Sequence, residues 1–182
     1  MAGAYVFPLV LDLFVAAFAN DPFYRWMQPD DDAWPAFARA WFGFTTALGL
    51  RAHQATILDH AVAIWTPPDW ELATADDIAR GTAVLRDHLG DRADEVLAGV
   101  LAARAHEPAE PHATLLYIAV APSHQGRGEG GSLLRPVLDD LDTAAYLVST
   151  NPANESFYAR HGFEVLAEVP TPGPPVHAMW RE

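Results

Sequence analysis

A glycine-rich segment is the part of the chain whose residue types and spacing most clearly indicate chemistry. It reads Gln-Gly-Arg-Gly-Glu-Gly-Gly over residues 125–131 and follows an apolar, β-branched and aromatic run at Thr114–Val120. A helix is predicted from Gly128 to about Leu141, so free backbone N–H groups would collect at its N-terminus, where the helix dipole favours negative charge. The glycines allow a phosphate to approach the backbone closely, and Arg127 adds a fixed positive charge. The segment therefore predicts an anion site that suits a diphosphate.

The spacing of the glycines alone leaves other interpretations open. A glycine-rich turn that binds no ligand explains the same pattern about as well. A mononucleotide site is less well supported, because no Lys-Ser/Thr pair follows the glycines as a P-loop requires. Cysteine is absent from the sequence, which excludes disulfides, thiolate metal ligands and a cysteine nucleophile. We predict no metal site.

The elements that would position this segment follow from apolar periodicity and from turn residues. Helices are predicted at Tyr5–Ala19, Trp34–Leu50, from a Thr74 cap to Leu89, at Asp91–Ala105, from Gly128 to Leu141 and at Asn154–His161. Strands are predicted at Gln54–Leu58, Ala61–Trp65, Thr114–Val120, Ala145–Thr150, Phe163–Val169 and Val176–Trp180.

The charge balance narrows the possible partners. The chain carries 24 acidic and 11 basic residues, for a formal net charge of −13. Such a field argues against nucleic acid and favours a small-molecule, cationic amine as acceptor. The longest apolar stretch, Val6–Ala19, contains Pro8 and Asp12, is too short to span a bilayer and lacks the basic start of a signal peptide. We therefore expect no membrane association and a cytoplasmic location.

Two motifs in order make the chain resemble the GNAT N-acetyltransferase superfamily. Gln125, Gly128 and Gly130 match its pyrophosphate loop, which reads Gln/Arg-x-x-Gly-x-Gly/Ala after a strand. Asn151–Phe163 is similar to its Asn-x-x-Phe-Tyr-x-x-x-Gly-Phe segment. Similarity to the puromycin N-acetyltransferase-like branch extends through Ala17–Pro22, Ala61–Pro67 and Val120–Gly126.

The resemblance implies the fold and the co-substrate. It implies one acyltransferase domain over residues 1–182 that uses acetyl-CoA (coenzyme A). The expected GNAT fold is α/β (α+β), with a central mixed, mostly antiparallel sheet flanked by helices. The superfamily's first strand has no counterpart, because this chain begins almost at a helix. A sheet edge left open in this way needs cover from the N-terminal segment or a second subunit, so a homodimer is a possible partner arrangement.

The resemblance also assigns roles to individual residues. Tyr158 is expected to protonate the departing thiolate, since a phenol with a pKa of about 10 can do so when aligned. An aromatic that only packs a helix against the sheet is the alternative. The Val120 N–H is expected to stabilise the oxyanion, and Asn154 to steady the pantetheine arm. The expected cofactor-binding set is Ile118, Ala119, Val120, Gln125, Gly126, Arg127, Gly128, Glu129, Gly130, Gly131, Asn154 and Tyr158.

The group that takes a proton from the acceptor amine is left open by the sequence. The puromycin-acetyltransferase-like branch often has a glutamate near the end of the fifth strand, where this chain has Val148. A loop carrying His112 or His177 could supply the base, water could mediate it, or a neutral amine would need none. Aromatic side chains attract ammonium groups and could line the acceptor pocket or pack in the core. The candidates are Trp65, Trp70, Tyr117 and the Trp26–Trp41 region.

Overall fold

Six strands form one open sheet at the centre of the fold. The computed structural model describes residues 3–52, 54–68, 70–71 and 73–182, with side chains from residue 8 onward. The strands lie in the order β1-β2-β3-β4-β6-β5. All neighbouring pairs are antiparallel except β3 and β4, which run parallel. The expected mixed, mostly antiparallel sheet is therefore confirmed. The strands are β1 Gln54–Ile57, β2 Ala61–Thr66, β3 His112–Val120, β4 Ala144–Ser149, β5 Glu164–Val169 and β6 Val176–Arg181.

Helices cover both faces of the sheet. They are α1 Gly3–Ala17, α2 Pro22–Met27, α3 Trp34–Gly49, α4 Ala75–Leu89, α5 Ala93–Ala103, α6 Glu129–Asp140 and α7 Glu155–Ala159. One core forms where α1 to α5 pack on the first face, and a smaller core forms where α6 and α7 pack on the second. Within the described part of the chain, no helix is both long and apolar enough to cross a membrane.

A short helix, α2, follows shortly after the predicted end of the first helix at Ala19, where the sequence predicted no further helix before Trp34. Asp21 is the N-cap of α2, and its Oδ1 accepts hydrogen bonds from the amides of Phe23 at 3.0 Å and Tyr24 at 3.1 Å. Pro22 occupies the first helical turn, where its missing N–H costs nothing. The same residues that end α1 therefore start α2.

A capping box fixes the start of α4. The Asp77 amide donates to Thr74 Oγ1 at 3.3 Å, and the Thr74 amide donates back to Asp77 Oδ2 at 3.0 Å. Arg51 donates to both carboxylate oxygens of Asp77, at 2.8 and 3.0 Å, and Arg80 pairs with it as well. These hydrogen bonds, that from Arg51 first, hold the pKa of the Asp77 carboxyl well below its usual range. The cluster joins the turn after α3 to the start of α4.

An Asp77→Asn variant is expected to melt several degrees below the wild type at pH 7, because it loses the charge that Arg51 and Arg80 contact. A carboxyl whose pKa is lowered on folding contributes stability that is present above its unfolded pKa and is lost as the pH falls below that value. The difference should therefore shrink below about pH 4. Thermal melting between pH 7 and pH 3 tests this, with Asp76→Asn, on the exposed neighbouring position, as the matched control. A difference that stays constant with pH would contradict the electrostatic explanation.

Candidate active site

Strands β3 and β4 separate near the middle of the sheet. Their parallel pairing ends at Leu115 and Leu147, whereas β3 continues to Val120 and β4 to Ser149. The register of β3 against β2 also shifts here, which leaves Leu116 as an extra residue on β3. A bulge of this kind bends a strand and increases its twist. The ends of β3 and β4 consequently enclose a wedge-shaped opening.

Backbone groups of β3 face this opening. The Ala121 amide donates to the His60 carbonyl at 2.8 Å, on the β2 side. Because the backbone groups of successive residues in a strand alternate between its two edges, those of Val120 and Ile118 face the opposite edge, where β4 has diverged. The Gln125 side chain donates to the Val120 carbonyl at 3.2 Å and ties the start of the glycine-rich loop to the strand.

The glycine-rich loop leads directly into α6. Gly126 and Gly128 have φ values of +74° and +86°, which favour glycine over other residues. Gly128 is the N-cap of α6. A Cβ placed at either glycine would meet no atom within 4 Å. The loop therefore presents backbone amides and open space at a helix N-terminus, which fits a diphosphate group.

Three elements meet at this end of the opening. A Cβ placed at Gly130, in the first turn of α6, would lie 3.0 Å from Phe157 Cζ on α7 and 3.8 Å from Val120 Cγ2 on β3. The glycine thus allows close packing of α6 against the strand and α7.

Among the other predicted residues, Arg127 and Asn154 are exposed, Glu129 is half-buried, and Ala119 faces the core under α1 to α5.

Further arginines lie around the start of α6. Arg135 Nη2 would be 3.3 Å from a Cβ at Gly131. Burial lowers the pKa of His161, and the charges of Arg135 and Arg160 lower it further. Together with Arg127 these side chains concentrate positive charge at one place in a chain of net charge −13. Only Arg127 could be predicted from the sequence, because Arg135 lies in the second turn of α6 and Arg160 directly follows α7.

Tyr158 lies on α7 and is buried, with 7% of its surface exposed. Its ring packs against Phe157 at 5.2 Å and Phe163 at 6.2 Å between centroids. Burial raises the pKa of the Tyr158 phenol, and the charge of Asp21 raises it further. Tyr158 belongs to the core under α6 and α7, whereas Asp21 caps a helix on the first face. The phenol is therefore within electrostatic range of the other side of the sheet.

A cavity of about 480 Å³ lies on the first face, under α2 to α5. It reaches the opening in the sheet at Leu116 and Tyr117 of β3, at Val148 of β4 and at Thr150. Most of its walls are apolar or aromatic, so the cavity suits a ligand with an apolar body. Representative wall residues are Tyr24, Trp41, Phe44, Leu85, Leu97 and Val100.

The aromatic candidates for an acceptor pocket separate into two groups. Tyr117, Trp70 and Trp41 line the cavity. Trp65 packs in the core on the opposite face, and Trp26 packs against α5, within 2.7 Å of a Cβ placed at Gly99. Sequence could not separate the groups, because the surroundings of each side chain depend on how the helices and strands pack together.

A polar cluster that the sequence did not predict lies where the cavity meets the opening. Tyr117 Oη donates to Thr45 Oγ1 at 2.8 Å, and Thr150 Oγ1 donates to Asp21 Oδ2 at 2.8 Å. Burial raises the pKa values of Asp21, Tyr24 and Tyr117. The cluster places hydroxyls and a buried carboxyl beside the site where the acyl donor and acceptor would meet.

His112 and His177, the two histidines considered as bases, do not line the cavity and have hydrogen-bond partners outside it. His112 Nδ1 lies 2.6 Å from the Glu110 carbonyl oxygen. His177 Nδ1 lies 2.5 Å from Glu155 Oε1, on the face that carries α6 and α7. Val148, in contrast, lines the cavity with an apolar side chain. A buried carboxyl, that of Asp21, is hydrogen-bonded to Thr150, which lines the cavity at the opening.

Comparison with known proteins agrees with this geometry. The family model for the acetyltransferase (GNAT) family matches residues 52–163, more than half of the chain. The chain is similar to the solved structure of histone acetyltransferase HPA2 and related acetyltransferase from Corynebacterium glutamicum ATCC 13032, with 26% identity, a TM-score of 0.69 and coverage of 96% of this chain and 90% of that chain. It shares the fold of an agmatine N-acetyltransferase, with 14% identity, a TM-score of 0.60 and coverage of 99% and 95%. It also shares the fold of the C-terminal condensation domain of Ebony, with 11% identity, a TM-score of 0.59 and coverage of 97% and 93%. The chain belongs to the GNAT acetyltransferase family.

Proposed function

We propose that this protein transfers an acetyl group from acetyl-CoA to the primary amine of a small molecule whose body is largely apolar. The observation that carries the proposal is the opening between β3 and β4. It lies between the face that carries α6 and Tyr158 and the face that carries the cavity of about 480 Å³. An acyl donor and an amine bound on opposite faces can therefore meet through the sheet.

The chain's own groups would hold the donor. The backbone groups of Ile118 and Val120 suit pairing with the pantetheine arm in the manner of an added strand. The amides of residues 125–130 suit the diphosphate, and Arg127, Arg135 and Arg160 would balance its charge. Asn154, exposed at the N-terminus of α7, would contact the arm from the other side.

The reaction itself needs two further groups. As the C–N bond forms and the C–S bond breaks, an oxyanion develops and the sulfur must gain a proton. The Val120 N–H would donate to the oxyanion. Tyr158 would donate to the sulfur, and its raised pKa keeps the phenol protonated at neutral pH, which is the form that a donor requires.

The cavity defines the acceptor class. Its aromatic and aliphatic walls suit an arylalkylamine or another amine with an apolar body better than a polyamine. The net charge of −13 favours approach of a cation. Similarity to an agmatine N-acetyltransferase and to a histone acetyltransferase supports an amine acceptor. The resemblance to the puromycin-acetyltransferase-like branch adds aminonucleosides to the candidates.

Thiol release from acetyl-CoA in the presence of an amine panel tests this function. The panel contains arylalkylamines, aminonucleosides, polyamines, aminoglycosides, amino acids and peptide N-termini. We expect kcat/KM to be at least tenfold higher for an arylalkylamine than for a polyamine of similar size, because only the first matches the apolar walls. Acetyl-CoA binding without thiol release for any amine would contradict an enzymatic function and favour a binding module. A preference for polyamines would contradict the acceptor class.

A further inference from the structure

We propose that Thr150 and Asp21 form a proton relay for the acceptor amine, with Thr150 contacting the nitrogen and Asp21 positioned behind it as the final proton acceptor. The inference rests on the proposed function and assigns the step that the sequence left open. Neither residue belongs to the set that the family resemblance implied.

The positions of the two side chains support the relay. Thr150 follows β4 at the opening and lines the cavity. Its hydroxyl donates to Asp21 Oδ2 at 2.8 Å. Asp21 is itself 5% exposed, and its neighbours Phe23 and Tyr24 also line the cavity. An amine in the cavity can therefore reach the Thr150 oxygen, while Asp21 is reached through Thr150.

The hydrogen bonds of Asp21 leave room for a further proton. Its Oδ1 accepts two backbone amides and its Oδ2 accepts the Thr150 hydroxyl, so three of about four lone-pair positions are used. These donors are neutral, and the phenols of Tyr24 and Tyr158 lie within electrostatic range of the carboxyl. Burial, the largest influence, raises the pKa of the Asp21 carboxyl. A bound ammonium would supply the positive charge that a buried carboxylate requires.

Asp77 shows the contrast with a structural carboxylate. It is buried like Asp21, and unlike Asp21 it lines the cavity directly. Arg51 and Arg80 both pair with it, and its pKa is lowered by these contacts. Its charge is already balanced within the protein, so Asp77 is a poor acceptor for a proton. The hydrogen-bond donors of Asp21 are neutral and its pKa is raised, so this carboxyl is the better proton acceptor.

The relay carries one proton from the ammonium through Thr150 to Asp21. The ammonium gives one proton to Thr150 Oγ1 while the Thr150 hydroxyl proton moves to Asp21 Oδ2. The neutral nitrogen then attacks the thioester carbon. The second nitrogen proton passes to solvent as the C–N bond is established, and Tyr158, which has given its proton to the sulfur, takes one back from solvent. Asp21 returns its proton to solvent after the products leave.

An Asp21→Asn variant tests the relay. Asparagine is as good an N-cap as aspartate, so the fold and the coenzyme A affinity should be retained, but the amide cannot accept the proton. With an alkylamine of pKa about 10, we expect kcat/KM at pH 7 to fall about tenfold or more. Wild-type kcat/KM should be flat between the pKa values of Asp21 and the amine. In the variant it should rise about tenfold per pH unit, because only the neutral amine reacts.

Matched variants keep this test decisive. Thr150→Val should reproduce the Asp21→Asn profile, the double variant should be no worse than either, and Thr150→Ser should restore the flat profile. Asp30→Asn makes the same change at the exposed N-terminus of α3, where Asp30 Oδ1 accepts two amides, and should behave as wild type. An amine that is neutral at pH 7 should be acetylated equally by wild type and Asp21→Asn.

The outcomes separate the relay from the proposed function. A flat profile with wild-type kcat/KM in Asp21→Asn would overturn the relay while acetyl transfer stands. If Asp21→Asn does not fold, the comparison of Thr150→Val with Thr150→Ser decides, and equal flat profiles for these two would overturn it. A wild type that releases no thiol with any amine overturns the proposed function and the relay with it.

Discussion

A Gly128→Glu variant should lose measurable affinity for coenzyme A while remaining folded. Gly128 has a φ of +86° at the N-cap of α6, and a Cβ there would point into open space. A side chain at this position would occupy the volume in front of the α6 amides and would bring a negative charge to the position proposed for the diphosphate. The backbone conformation adds a cost of about 1–2 kcal/mol for any residue with a Cβ. Steric exclusion and repulsion thus act together.

Titration calorimetry with coenzyme A measures the effect of this substitution. Gly90→Glu is the matched control, because Gly90 also has a positive φ of +54° and no atom within 4 Å of its Cβ position, but it caps the end of α4. Gly90 has a ψ of −124°, outside the left-handed region that Gly128 occupies with a ψ of −2°, so Gly90→Glu should lower the melting temperature at least as much as Gly128→Glu. It should nevertheless leave coenzyme A affinity unchanged. Gly128→Ala, which carries the strain without the charge, should be intermediate. Unchanged affinity in Gly128→Glu would sink the assignment of this loop to the donor.

Local sequence patterns identified most of the fold. Predicted strands and helices have counterparts in the structure, because apolar periodicity and cap residues such as Thr74 act within a few positions. Boundaries shifted where tertiary contacts extend or shorten an element. The predicted strand from Thr114 begins at His112, and the predicted helix Asn154–His161 is regular only over Glu155–Ala159. The short α2 was missed because Asp21-Pro22 both ends one helix and starts another.

In the candidate site, the parts that are contiguous in sequence could be predicted and the parts that only folding brings together could not. The donor loop is contiguous, so its glycines could be recognised from spacing and family resemblance. No residue pattern around Leu116 marks the bulge, because it arises from the pairing of β3 with β2. Asp21 and Thr150 are 129 positions apart, and only the sheet brings them together. The acceptor side could not be predicted for this reason, since it is assembled from four helices and the faces of two strands.

Tyr158→Phe should lower kcat about 100-fold with little change in coenzyme A affinity, which is a typical effect of removing a positioned proton donor. Phenylalanine keeps the ring that packs against Phe157 and Phe163 and removes only the hydroxyl. Because burial raises the pKa of Tyr158, we expect the phenol to hold its proton until negative charge has built up on the departing sulfur, so the variant loses both the hydrogen bond to the sulfur and the proton. For the same reason, wild-type kcat should show no loss from phenol ionisation up to about pH 10.

Steady-state kinetics by thiol release, coenzyme A calorimetry and thermal melting distinguish a proton donor from a packing residue at Tyr158. A proton donor predicts a large loss of kcat with an unchanged dissociation constant and a melting temperature within a few degrees of wild type. A packing residue predicts the reverse, with lower stability and nearly normal turnover. Wild-type kcat in a folded Tyr158→Phe protein would remove the phenol from the reaction. Since the relay through Thr150 and Asp21 acts on the amine and Tyr158 on the sulfur, Tyr158→Phe should retain the flat pH profile of wild-type kcat/KM that Asp21→Asn loses.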